Sequence, residues 1–133
     1  MTDSKIATVR EIYAAFGRGD VEAILSKLTD DVDWSTESSA TIAPWHGRCN
    51  GKSEVPRFFE GINKATEVTE FTPLSFGSND TDVFVTITYG CTSRETGKSA
   101  TMTLHHWWRF RGDKIYFYRG SEDTALTAAT LQI

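Results

Sequence analysis

The apolar residues change period near residue 67, and that change restricts what the chain can fold into. From there on, apolar and polar positions alternate, as they do in half-buried strands. Glu67–Phe76, Thr81–Thr92, Ser99–Arg111 and Ile115–Ser121 are rich in Thr, Val, Phe, Tyr and Trp and are predicted as strands. They are joined by Gly77-Ser-Asn-Asp80, Arg94-Glu-Thr-Gly-Lys98 and Gly112-Asp113. Connections this short make neighbouring strands antiparallel.

The first half is helical by the same criterion. Ile6, Val9, Ile12, Tyr13 and Phe16 form one face of a helix from about Ser4 to Phe16, ended by Gly17 and Gly19. Asp20 is placed to cap a second, shorter helix through Val21, Ile24, Leu25 and Leu28. Thr29–Trp34 breaks that period and starts a strand. Residues 35–52 carry turn formers and read as a loop containing Trp45 and His46, the latter expected to be exposed. Ser53 caps a third helix with Phe58, Phe59 and Ile62 on its apolar side, and a last short helix follows Asp123. Helices gathered in the first half and strands in the second predict an α+β domain, with helices on one face of an antiparallel sheet.

Composition narrows the function classes. At 133 residues the chain suits one domain, 1–133, with no linker or internal repeat. Its net charge of −4 argues against nucleic acid or an anionic membrane as partner. No apolar run approaches the ~20 residues of a spanning helix, and the first residues lack signal-peptide character. Cys49 and Cys91 read as reduced thiols of a cytoplasmic protein. Aromatic residues make up 12% of the chain, which fits either a well-filled core or an apolar pocket lined by rings.

Several stretches, in this order, resemble the SnoaL-like branch of the nuclear transport factor 2-like superfamily, related to polyketide cyclases and ketosteroid isomerases. They are Ile12-Tyr-Ala-Ala-Phe-Gly-Arg-Gly-Asp20, Leu28-Thr-Asp-Asp-Val-Asp-Trp34, Gly47-Arg-Cys-Asn-Gly-Lys-Ser53, His106-Trp-Trp-Arg-Phe-Arg-Gly-Asp-Lys-Ile115 and Tyr118-Arg-Gly-Ser-Glu-Asp-Thr-Ala-Leu126. The resemblance implies a cystatin-like fold: a curved antiparallel sheet wrapped against three helices of the N-terminal half, with a conical cavity and usually a homodimer. It does not carry one chemistry, because this fold hosts many.

Three positions are the catalytic candidates. Alternation puts Leu104, His106, Trp108 and Phe110 on one face of their strand, the more apolar one, and His105, Trp107 and Arg109 on the other. His106 is then either a satisfied core histidine or a general acid–base group, and its position is similar to that of a SnoaL-like histidine. Tyr13 sits where the resembled isomerases hold a cavity tyrosine; it serves as an oxygen-stabilising donor or as part of the helix's apolar face. For the orienting carboxylate Asp123 and Glu122 compete: the resemblance favours Asp123, strand alternation favours Glu122. The isomerase base has no counterpart, since Thr36 stands at the nearest position and Glu37 is one residue away.

The expected activity is cofactor-free proton transfer next to a carbonyl, of isomerase, cyclase or dehydratase type, on an apolar cyclic or aromatic molecule. Trp34, Phe58, Phe59, Trp108, Phe110 and Tyr118 are the expected walls, with Glu122 among the ligand contacts. The alternatives are a module that binds without catalysis and an interaction domain whose cavity is filled. No metal site is expected, because adjacent His105 and His106 point to opposite faces of a strand. His105, Trp107 and Arg109, emerging on the outer face, predict a homodimer contact there.

Overall fold

The computed structural model describes residues 2–39 and 42–132. Helix α1 spans Thr2–Gly17 and α2 spans Val21–Leu25, capped by Asp20, whose side chain accepts from the Ala23 N–H. Strand β1 is Leu28–Thr36, β2 is Gly47–Asn50 and α3 is Val55–Ala65. Four long strands follow: β3 Thr66–Ser78, β4 Asp82–Ser93, β5 Ser99–Arg111 and β6 Lys114–Ser121, then helix α4 at Thr124–Leu131. No helix is long and apolar enough to cross a membrane.

The α+β architecture and the four C-terminal strands match expectation, and the hairpins β3–β4, β4–β5 and β5–β6 are antiparallel. Several details differ. The sheet order is β2-β1-β6-β5-β4-β3, and β1 lies parallel to β6, so the sheet is mixed rather than antiparallel throughout. Only hairpin neighbours announce their direction through turn length; β1 meets β6 across some eighty residues of sequence. The expected loop 35–52 contains β2, held to β1 by pairing Trp34 with Cys49 and Thr36 with Gly47; its residues 40 and 41 lie outside the described residues. Leu28 is not on α2 but opens β1 opposite Ile115. Ser53 does not cap α3: it lies in a single 3₁₀ turn, Lys52–Glu54, and no side-chain cap precedes the helix.

The curved sheet presents one face to the helices. Val83, Val85, Ile87, Trp108, Ile115 and Tyr118 from the strands pack with Val9, Ile12, Val55, Phe58 and Ile62 from α1 and α3 in a single buried cluster. The register fixes the centre of the concave face. His106 lies opposite Val85 on one side and Gly120 on the other, while Trp108 lies opposite Val83 and Tyr118. A methyl group on Gly120 would collide with the Tyr118 hydroxyl folded back over it, so the glycine gives Tyr118 this position.

Candidate functional site

An aromatic hollow opens between α1, α3 and the concave face of the sheet. Trp34 and Tyr118 lie 4.2 Å apart between ring centroids, Trp108 and Tyr118 4.5 Å, and Trp34 and Phe58 5.4 Å. Tilted and edge-on pairs at these separations are the favourable arrangements for rings. Of the expected walls, Trp34, Phe58, Phe59, Trp108 and Tyr118 do line the hollow. Phe110 does not. It lies on the same strand face but one step further down, buried in the core, with the Lys5 ammonium 5.5 Å from its ring centroid. The remaining internal space is about 80 Å³, room for several waters but well below the ~300 Å³ of a site for a drug-sized ligand. Tyr13, Phe16, Phe59, Phe71 and Leu104 line it while keeping some exposed surface, and so form its mouth.

Strand alternation places His106 in this hollow and His105 on the exposed outer face, as expected. Tyr13 reaches His106 from α1: its hydroxyl is 2.8 Å from His106 Nδ1. Behind it, Trp108 Nε1 donates to the Tyr13 oxygen at 3.2 Å. These contacts assign the protons. An indole N–H can only donate, so the Tyr13 oxygen accepts from Trp108. The phenol proton meets no other acceptor among the described residues, so it goes to the imidazole lone pair on Nδ1. In neutral His106 the ring proton therefore sits on Nε2. Burial pushes His106 down to about 3, and the neighbouring charge of His105 adds to the effect. Burial likewise raises the Tyr13 phenol above its ordinary range, with the Trp108 hydrogen bond partly opposing it. At neutral pH the pair is uncharged, and His106 presents an N–H donor rather than a free base.

The competition between the two carboxylates is resolved by the end of β6. Asp123 is exposed and outside the hollow: its side chain caps α4, accepting from the Leu126 N–H at 3.0 Å. Glu122 lines the hollow instead, and its side chain is only 8% exposed. It does not orient His106. Its Oε1 accepts from Trp45 Nε1 at 2.8 Å, while Oε2 accepts from the Thr127 hydroxyl and lies 3.3 Å from Nε2 of the other buried histidine, His46. Burial by itself would raise this carboxyl, but the contacts from His46, Thr127 and Trp45 outweigh it and hold Glu122 below the usual range. Glu122 is thus an ionised carboxylate in an aromatic cavity.

His46 is 2% exposed, not the exposed loop residue its turn-rich neighbourhood predicted. The signal lay next to it: Trp45 carries a large apolar ring, and that ring is itself buried. Thr36 lines the hollow, and Glu37 does not: it is exposed and pairs with Arg119 at 3.2 Å. No carboxylate therefore occupies the isomerase position.

A curved sheet half-wrapped around helices, enclosing an aromatic hollow lined by a histidine and a glutamate, defines a nuclear transport factor 2-like α+β protein. The chain belongs to the SnoaL-like domain family, whose sequence model matches residues 9–118. Solved structures agree over nearly the full length. A nuclear transport factor 2-like protein from Burkholderia pseudomallei shares 27% identity, with 98% of each chain covered and a TM-score of 0.90. Another, from Burkholderia thailandensis, shares 25% identity over 100% of this chain and 99% of that one, at 0.87. The protein TerC, co-crystallised with polyporic acid, shares 24% identity over 96% and 98%, also at 0.87. A comparison with curated proteins finds no match.

Proposed function

We propose that this protein binds a small, largely apolar cyclic molecule bearing a carbonyl or phenolic oxygen and moves a proton on it without a bound cofactor, in the manner of an isomerase, cyclase or dehydratase. One observation carries this reading. A single hollow contains a neutral imidazole N–H backed by the Tyr13–Trp108 relay and, separately, an ionised buried carboxylate. A hydrogen-bond donor for a developing oxyanion and a carboxylate acceptor for the proton are the two groups that such a transfer needs in one cavity.

In this scheme Glu122 takes a proton from the carbon next to the substrate carbonyl. Trp45 and Thr127 each donate to one of its oxygens, and Oε1, which holds only Trp45, keeps an open acceptor position. As the C–H electron pair moves into the carbonyl, His106 Nε2–H donates to the developing oxyanion. Tyr13 stabilises the polarised ring from behind. Protonated Glu122 then returns the proton to another atom of the substrate. A fixed donor in a water-poor site contributes on the order of 10²–10³ in rate. With about 80 Å³ of free space, entry requires mouth residues such as Phe59, Phe71 and Leu104 to turn aside.

The test uses 2-tetralone, a cyclic ketone with acidic carbon-bound protons. Binding is followed by quenching of Trp34 and Trp108 fluorescence, and proton transfer by exchange of its C1 protons into D₂O by NMR. The expected result is exchange faster than in buffer, with Glu122→Gln abolishing the acceleration and His106→Leu reducing it. Bound 2-tetralone that exchanges no faster than in buffer refutes proton transfer. That outcome supports the second reading, a module that binds without catalysis; the small free volume favours instead the third, an interaction domain whose cavity is filled by its rings.

The assembly is part of the same proposal. On the outer sheet face Trp107 is 36% and Phe84 44% exposed, stacked at 6.4 Å between ring centroids, with Arg109 turned toward Asp82 beside them. An aromatic and arginine patch of this composition suits contact with a second copy, together with His105. The unpaired thiols Cys49 and Cys91 support the cytoplasm as the compartment.

A further inference from the structure

Among the buried titratable groups that the acid–base pair leaves unused is His46. It sits in the turn before β2, where its N–H donates to the Ala43 carbonyl at 3.0 Å. This turn is pressed against α3 at Gly61. A methyl group there would come within 3.0 Å of the Pro44 carbonyl carbon and oxygen and 3.2 Å of the Trp45 nitrogen. Only glycine lets the helix approach so closely, and the approach drives Trp45 and His46 inward. The His46 side chain is fully buried, yet neither ring nitrogen makes an aligned hydrogen bond among the described residues. A buried polar ring left in this state needs an explanation. Nε2 lies 3.3 Å from Glu122 Oε2.

We infer that His46 is a positioning residue for Glu122. Its Nε2–H, together with the Thr127 hydroxyl, engages Oε2 and leaves Oε1 as the oxygen that faces the ligand. The inference rests on the reading of Glu122 as the proton acceptor, but its geometry is independent of any substrate. An ionised carboxylate accepts and never donates, so the ring proton of His46 must lie on Nε2. Nδ1, without a partner among the described residues, is then an idle lone pair, cheaper to bury than an idle N–H. The turn, the end of β6 and α4 thus meet on one carboxylate: Trp45 and His46 from the first, Glu122 just past the second, Thr127 from the third. The other titratable groups acting on it are Tyr89 and Cys91 from β4 and Tyr118 from β6; none of them hydrogen-bonds to it among the described residues. Each is uncharged near neutral pH, since burial raises all three.

The test titrates the Glu122 carboxyl carbon by ¹³C NMR in the protein alone, assigned by its loss in Glu122→Gln. Removing the His46 contact with His46→Phe should move the midpoint up by about one pH unit or more. His46→Gln, which keeps an N–H at similar reach, should restore most of that shift. A parallel measurement covers the case in which His46→Phe does not fold. In the otherwise wild-type chain, Glu122→Gln should change the ¹⁵N signals of the His46 ring. An unmoved Glu122 midpoint in folded His46→Phe, or His46 nitrogens indifferent to Glu122→Gln, overturns the inference. Because no probe molecule is present, neither result depends on proton transfer, which fails separately if bound 2-tetralone does not exchange.

Discussion

Replacing Tyr13 by Phe tests the proton relay more sharply than any change to His106 itself. The substitution removes one oxygen and keeps the ring, so the packing against Phe71, 5.0 Å away between centroids, is retained. Two groups lose their partner together: the Trp108 Nε1–H at 3.2 Å and His106 Nδ1 at 2.8 Å. Trp108 is 2% exposed, so its orphaned N–H has no route to water and carries the full penalty, ~1–3 kcal/mol. His106 keeps some exposed surface and recovers part of its loss. The expected destabilisation is about 2–3 kcal/mol. For a chain of this size that lowers the melting temperature by roughly 10 °C. Urea unfolding monitored by tryptophan fluorescence measures it, and ¹⁵N NMR of the His106 ring adds a second readout. In the wild type Nε2 carries the proton; in Tyr13→Phe the tautomer is no longer fixed. A variant within about 0.5 kcal/mol of wild type, or a wild-type His106 protonated on Nδ1, would show that the assigned direction of the hydrogen bonds is wrong.

Other consequences follow from the same structure. The unfolded chain protonates His106 near 6.5, the folded chain at about 3; in between, the unfolded state binds the extra proton. Stability is therefore complete above pH 6.5 and falls with decreasing pH, by up to about 1.4 kcal/mol per unit; urea midpoints unchanged between pH 7 and 5 contradict this. Gly61→Ala forces a methyl against the Pro44 backbone, which cannot turn away, and should cost ~1–3 kcal/mol. Gly77→Ala, with nothing within 4 Å of the added methyl, should be close to neutral, so equal losses at both sites would refute the packing argument. Gly120→Ala should displace the Tyr118 hydroxyl, visible as weaker binding of 2-tetralone in fluorescence titrations. Sedimentation at micromolar concentration should give a dimeric mass for the wild type and a monomeric one for Trp107→Glu; a monomeric wild type removes the proposed contact.

The alternation of Leu104, His106, Trp108 and Phe110 against His105, Trp107 and Arg109 was enough to separate inside from outside on β5. A strand has period two and cannot rotate one residue independently of the next. The helical spacing of Ile6, Val9, Ile12, Tyr13 and Phe16 was sufficient in the same way, and together these patterns brought Tyr13 and His106 to one face each. Local periodicity says nothing about depth or distant pairing. Phe110 shares the face of His106 but lies below the hollow, because depth depends on how far the helices cover the strand. β1 joins β6 in parallel, and β2 pairs with β1 inside what reads as a loop, because both pairings are made between segments with no connecting hairpin to declare them. Glu122 and Asp123 differ by one residue at a point where strand becomes helix. There alternation and capping make competing claims, and Asp123 goes to the α4 N-terminus while Glu122 turns inward. His46 is the clearest case of tertiary control. Its burial depends on Gly61 of α3 admitting the Pro44 and Trp45 backbone, and its partner Glu122 arrives from the far end of the chain, so only the packed fold brings the two together.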